Sequence, residues 1–407
     1  MINSENITQY IKDTAVHGDI YTDEEIFKQE MTSIFEKTWV YVGHESEIAN
    51  SGDYKTTVIG THPLIVTRDS DTDEVHVVFN RCRHRAATVC QQEKGNANYF
   101  RCAYHGWTYS NNGDLTGMPF QDGYGEEFDR CKMGLIKVPR VGIYQGFIFA
   151  SLSEEGPTLE EHLGNARPYI DYVVNTCPEG ISLNAGAHKY RFDGNWKLQV
   201  ENTIDPYHLS VTHRSFFNLM SKKTGKKINF SKMHKNEKIR DLGNGHSLYE
   251  LDGDLGIGAL PFNLIVFPNL GFLGSQVRVT WPVSVNKTNV FLYPIMLKGA
   301  SVEENAARLR KHEGFYGPAG FGTVDDLEVG FDRVMEGLNA KGKDGEWLEI
   351  SRGLEREEVD EKGIITATSS DEISARALYK AWKKLMTADD SNVETRGKKH
   401  EPTVGRP

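Results

Sequence analysis

Apolar positions change their spacing twice along the chain. In "YTDEEIFKQEMTSIFEKTW" the groups Ile26, Phe27, Met31, Ile34 and Phe35 fall mostly on one face of a 3.6-residue repeat, which predicts a helix, and Thr22 with Glu25 matches a capping box. From about residue 39 to 155 the pattern becomes one of strands. The stretches "DYKTTVIG", "HPLIVTRD", "EVHVVFNRC", "YFRCAYHGWTYS" and "GIYQGFIFASL" alternate or run in β-branched and aromatic residues, and "SNNGDLTG" reads as a hairpin turn. A small all-β domain is predicted there, followed by a linking helix over "TLEEHLGNARPYIDYVV".

Beyond residue 184 the two repeats mix. "WKLQVENTIDPYHLSVTH" predicts a helix, a lysine-rich stretch runs from Lys222 to Arg240, and "LIVFPNLGFLG", "SQVRVTWPVSV" and "TNVFLYPIML" predict long strands. Helices are predicted over "SVEENAARLRKHEGF", "TVDDLEVGFDRVMEGL" and "SSDEISARALYKAWKKLM", the last with Ser369 and Glu372 as a capping box. Strands in one block flanked by helices imply an α+β domain on an antiparallel sheet. The expected division is an N-terminal helical segment over 1–38 packing on the larger domain, the all-β domain over 39–155, the larger domain over 156–386, and a loose tail over 387–407. No internal repeat is visible.

Composition narrows the class. A chain of 407 residues exceeds what one core usually serves, and 38% hydrophobic content fills substantial cores. No apolar run approaches a bilayer span, and "MINSENITQY" lacks a basic segment followed by an apolar one, so no signal peptide is expected. Five cysteines cannot all pair, which fits a reducing cytoplasm. A net charge of -10 argues against nucleic-acid or anionic-membrane partners, while leaving room for a local basic pocket that takes an acidic small molecule.

Two constellations carry the chemistry. The first is "RCRHRAATVC" with "RCAYHGWTY", which sets Cys82-x-His84 against Cys102-x2-His105. Zinc fingers group two cysteines in one hook and two histidines in the other. Here each hook offers one of each, which suits a two-iron cluster bound by both cysteines on one iron and both histidines on the other, the Rieske arrangement. A structural zinc is the competing reading, and Cys90, in the same loop, reads as structural. The second constellation is Asp205-x2-His208-x4-His213. On one helix those histidines diverge by about 140°, but Pro206 invites an irregularity that lets them converge. Two histidines and a carboxylate form the facial triad of non-haem Fe(II) oxygenases. The best source of the carboxylate is "GPAGFGTVDDLEVGF", with Asp325 and Asp326; their plain alternative is a charge pair at a helix start.

With both constellations in hand, the chain resembles the large (α) subunit of Rieske non-haem iron aromatic-ring-hydroxylating oxygenases over nearly its whole length. The resemblance rests on "CRH", "CAYHGWTYSNNGDLTG", "ENTIDPYHLSVTH" and "GPAGFGTVDD". It implies a [2Fe-2S] cluster on Cys82, His84, Cys102 and His105, and a mononuclear Fe(II) on His208, His213 and Asp326. Asp205 matches an aspartate that bridges a cluster histidine and an iron histidine across a subunit boundary, and Asn202 an asparagine beside the iron. It implies a trimer in which one subunit's cluster feeds its neighbour's iron, either as an α3 homotrimer or with a small β subunit in an α3β3 assembly. A reductase, with or without a ferredoxin, would bring electrons from NADH. Ala86 departs from the glycine that many members carry after His-Arg.

Within the family, two residues separate Asn202 from Asp205, as in the benzoate, anthranilate and terephthalate branch. Arg278 lines up with a carboxylate-anchoring arginine of the terephthalate enzymes; a structural strand residue is the other reading. Their second arginine falls near Ser369 here, which disfavours a dicarboxylate and points to a benzoate, salicylate or aminobenzoate as substrate beside O2. The alternatives are a ring without a carboxylate, oxidative demethylation, or an electron carrier lacking catalytic iron. The lysine run reads as a solvated loop or as a cover that draws in an anion.

Overall fold

Antiparallel pairing dominates both halves of the chain. The computed structural model describes residues 7–225, 237–251, 259–317, 319–340 and 347–388. In the first half, a sheet in the order Val75–Phe79, His62–Arg68, Asp53–Ile59, Lys94–Asn96 stands beside a smaller one in the order Tyr99–Arg101, Thr108–Ser110, Leu115–Gly117. Gly113, at φ 96°, makes the turn between the last two strands. A third sheet, in the order Arg140–Tyr144, Phe147–Ser151, Val40–His44, ties this half to the rest. Its Tyr41, Phe147 and Phe149, with Trp39 just before the last of these strands, share a buried apolar cluster with Leu264, Val266 and Leu270 of the second half. Asn269 clasps the Tyr41 backbone there, its side chain accepting from Tyr41 N and donating to Tyr41 O, each at 3.0 Å.

The second half is organised on a nine-stranded sheet in the order His188–Phe192, Lys287–Pro294, Gln276–Ser284, Leu270–Leu273, Phe262–Val266, His246–Glu250, Lys238–Gly243, Ile365–Thr368, Glu358–Val359. Every neighbouring pair in it is antiparallel. Helices flank the sheet. No helix among the described residues is long and apolar enough to cross a membrane.

Several helix ends differ from expectation. The first helix, Glu24–Glu30, is capped by Asp23 rather than Thr22, its carboxylate accepting from Glu25 N and Ile26 N at 2.8 and 3.0 Å. It runs on as a π-helical turn, Met31–Phe35. The last helix, Ile373–Met386, has no side-chain cap, so Ser369 and Glu372 form no capping box. The linking helix is two, Leu159–Leu163 and Arg167–Asn175, joined by a 3-10 turn over Gly164–Ala166. The helix expected over 196–213 breaks after Thr203. Of the lysine run, Lys226, Lys227, Lys232 and Lys235 lie outside the described residues, while Lys222 and Lys223 end the helix Arg214–Thr224.

The helix Trp196–Thr203 is held from below by charges in the core. Lys197 and Glu30, both fully buried, pair at 2.5 Å, and Glu30 also accepts from the indole N–H of Trp196 at 2.8 Å and of Trp382 at 2.7 Å. One turn on, Glu201 accepts from the hydroxyls of Tyr21, at 2.8 Å, and of Tyr379. The N-terminal segment and the last helix thus grip the element that leads into the second constellation.

Candidate active site and metal centres

The two cysteine–histidine hooks are built alike, although only the second is a hairpin tip, between Tyr99–Arg101 and Thr108–Ser110. The first is the loop that follows the strand Val75–Phe79. Cys82 N donates to Ala87 O and Ala86 N to Cys82 O at 2.8 and 3.0 Å; Cys102 N donates to Trp107 O and Gly106 N to Cys102 O at the same two distances. Each hook turns through the left-handed region, at Ala86 (φ 63°) and Gly106 (φ 73°). The Cβ of Ala86 makes that conformation cost about 1 kcal/mol, a strain that glycine would avoid.

Cys82 and Cys102 are each 2% exposed and form no disulfide. The rings of His84 and His105 lie 4.4 Å apart, and His84 stacks on Trp107. Nδ1 of His84 is buried without a hydrogen-bond partner. Burial, then the neighbouring His105 and Arg85, lower the pKa of His84, which keeps the ring neutral as ligation requires. Two buried thiols beside two adjacent imidazoles, one with an unmet polar atom, fit a two-iron sulfide cluster with split ligation. Cys90 belongs to the loop's own structure: Asn80 accepts from Val89 N and Cys90 N at 2.9 Å, and the Cys90 thiol donates to Gln92 O at 3.6 Å.

The second constellation sits where the expected helix breaks. Between Trp196–Thr203 and Arg214–Thr224 lies one short turn, Leu209–Thr212, with His208 at its N-cap and His213 at its C-cap. Asp326 arrives from Phe321–Asn339, at the point where α-helical geometry gives way to a π-helical segment, Asp326–Asp332. Asp325 and Asp326 are therefore inside a helical run, past its first turn, rather than a charge pair at its start. Such π segments often mark functional positions, because the wider turn redirects a side chain.

One ligand atom from each of His208, His213 and Asp326 lies within 4.8 Å of the others. Nε2 of His208 and of His213 stand 3.4 and 3.2 Å from Asp326 Oδ1, which is buried and has no properly aligned hydrogen bond. Each ring is oriented from behind by a carboxylate: His208 Nδ1 lies 3.3 Å from Asp205 Oδ2, and His213 Nδ1 lies 3.2 Å from Asp325 Oδ2. Burial would depress the His208 pKa, but Asp205 and Asp326 outweigh it and push it up to about 9. Asp326 is held well below the carboxylate range: burial alone would raise it, and the two histidines overcome that. In this set a divalent cation would take the place of the protons, and two oriented imidazoles with an unmet carboxylate oxygen fit ferrous iron.

The remaining candidates surround this group. Asp205 accepts from Tyr207 N at 2.8 Å and keeps 43% of its side chain exposed. Asn202 turns its amide towards Gly330, on the π segment. Arg278 is 3% exposed, donates to Thr203 Oγ1 at 3.2 Å, and lies over the Tyr316 ring at 5.9 Å. The role of Asp325 as the partner of His213 is not legible in the sequence: it stands beside Asp326, but no local pattern distinguishes a ring-orienting carboxylate from a helix-start charge.

Comparison with known proteins agrees with both constellations. A model of the Rieske [2Fe-2S] domain matches residues 38–138, and a model of the ring hydroxylating alpha subunit (catalytic domain) matches residues 183–388. The alpha subunit of toluate 1,2-dioxygenase from Pseudomonas putida is 35% identical over 388 residues, covering 82% of this chain and 80% of its own. The chain belongs to the ring-hydroxylating oxygenase alpha subunits. The large subunit of anthranilate 1,2-dioxygenase from Acinetobacter baylyi is 33% identical, covering 90% of this chain and 88% of its own. Among solved structures, naphthalene 1,2-dioxygenase from Rhodococcus sp. bound to indole superposes with a TM-score of 0.84 at 26% identity, covering 96% of this chain and all of that one. This ring-hydroxylating oxygenase subunit thus carries the two-part fold of its family, and with it a Rieske cluster and a mononuclear iron as cofactors.

Proposed function

We propose that this subunit is the terminal oxygenase for an aromatic monocarboxylate of the benzoate, salicylate or aminobenzoate type, supplied with electrons from NADH by a reductase. In this reading Cys82, His84, Cys102 and His105 hold the cluster, and His208, His213 and Asp326 hold the iron. Together the bound groups supply one-electron delivery and the activation of O2 beside the ring. The chain's own residues do the rest. Asp205 and Asp325 fix the two imidazoles with Nε2 facing Asp326, so that these three groups would hold the iron. Asp205, half exposed, is suited to accept from a cluster histidine of a neighbouring subunit and so to shorten the electron path.

The observation that carries the acid reading is Arg278. Among the described residues no carboxylate comes within ion-pair distance of this buried guanidinium, and a buried cation needs an anion. Its position beside Thr203, the residue after Asn202, suits an anchor for the carboxylate of a ring held near the iron. The test is oxygen uptake by the holoenzyme with its reductase on a panel of aromatic acids, with product identification. Arg278→Met is expected to raise KM for the acid about a hundredfold with iron content unchanged. An unchanged KM would return Arg278 to a structural role and favour a ring without a carboxylate.

A further inference from the structure

The sheet face that carries Arg278 sets polar groups into an apolar core: Leu292, opposite Arg278, and Val290, opposite Thr280, are fully buried in the cluster that holds Trp196. Along the strand Gln276–Ser284, Val277 and Val279 join the apolar cluster that holds Leu264 and Leu270. Gln276 and Arg278 alternate to the other face, where Arg278 reaches Thr203 of the helix Trp196–Thr203 and Tyr316 of the helix Val302–Tyr316. Gln276 is fully buried, and neither atom of its amide has a hydrogen-bond partner. His312, from the second helix, is 2% exposed with both ring nitrogens unpartnered, and Arg278 Nε is unpartnered as well. Each such group costs about 1–3 kcal/mol when left unpaired, so several set together in an otherwise apolar core indicate a site rather than packing.

That face lies close to the proposed iron ligands. The Tyr316 ring is 5.9 Å from both Arg278 and the His312 ring, and the preceding Phe315 ring is 5.2 Å from that of His213. Burial, with His188 and Arg278 nearby, brings the His312 pKa down to about 4, so its imidazole is neutral and offers one donor and one acceptor. The Gln276 amide offers both kinds as well. A carboxylate only accepts. It matches Arg278 and the donors, and leaves Gln276 Oε1 and the imidazole lone pair unmatched.

We propose that Gln276 and His312 are specificity-determining residues which, with Arg278, select an aromatic acid bearing a hydroxyl or amino group next to its carboxylate. The inference rests on the aromatic-acid reading and deepens it. The added substituent supplies the donor that the two acceptors lack, and a site built for such a bond rejects the analogue without it, because its own groups then stay unpaired.

Equilibrium dialysis of 2-hydroxybenzoate, 2-aminobenzoate and benzoate against the anaerobic holoenzyme tests this. At least one ortho-substituted acid should bind about tenfold or more tightly than benzoate. In Gln276→Leu and in His312→Phe the advantage should shrink to about threefold or less with benzoate binding retained, and His312→Gln, which keeps a donor and an acceptor, should restore it. Equal binding of all three acids by the wild type, or an advantage that survives both variants, overturns the inference and leaves the acid reading intact. If the wild type binds none of the three, the acid reading falls and takes this inference with it.

Discussion

A carboxylate that touches no metal can still decide whether a metal stays. His213 is 1% exposed, and Asp325 orients its ring through Nδ1. Such a partner fixes the tautomer and raises ligand basicity, and its loss typically lowers metal affinity about 10–100-fold. Asp325→Ala should therefore release iron to a chelator at about 10–100-fold lower concentration than the wild type, while the visible absorption of the cluster is unchanged. Release at the wild-type concentration would make Asp325 a bystander. The proposed cluster ligands Cys82, His84, Cys102 and His105 are legible in the sequence because thiol and imidazole at that spacing suit split ligation, whereas Asp325, Gln276 and His312 reveal themselves only through what they face.

At the scale of elements, the helix Trp196–Thr203 is the support on which the site depends, and it carries a titratable strut. Burial lifts the Glu201 carboxyl to about 7, although hydrogen bonds from Tyr379 and Tyr21 and the charge on Lys197 pull it down. The folded chain thus binds a proton that the unfolded chain gives up near the ordinary value of 4.5. The stabilisation from that proton is full below the unfolded value and is lost as pH rises through the folded one. Relative to Glu201→Gln, the wild type should lose about 2–3 kcal/mol of stability between about pH 5 and pH 8. Urea unfolding of both proteins at several pH values measures it, and parallel pH profiles would contradict it. In the sequence the break after this helix shows only as an irregularity at Pro206. That it is a full interruption, with a single turn between the histidines, follows from tertiary demands that bring His208, His213 and Asp326 together.

For the whole molecule, the question is which cluster serves which iron. Asp205 leaves its outer side open, and around the cluster site Tyr104 and Phe120 are 61% and 89% exposed. These surfaces suit a trimer in which electrons cross between chains. Chains with Cys102→Ser, which cripples the cluster, and chains with His213→Ala, which cripples the iron site, should each be inactive alone. Co-expressed, they should regain oxygen uptake if, as we propose, the cluster of one chain serves the iron of its neighbour, since a mixed assembly would then set an intact cluster against an intact iron site. A mixture as inactive as its components would mean that electrons stay within one chain.

By itself, the order of residues determined the two-part architecture and the ligand types, because strand alternation, helix periodicity and thiol–imidazole spacing are local properties. The capping of Glu24–Glu30 by Asp23, the π turn at Asp326 and the left-handed Ala86 were decided in three dimensions. There, close packing and the pairing of buried polar groups outweigh local preference. The unpartnered polar groups around Arg278 likewise became visible only when strand and helix met, since burial without a partner is a property of neighbours and not of any single residue.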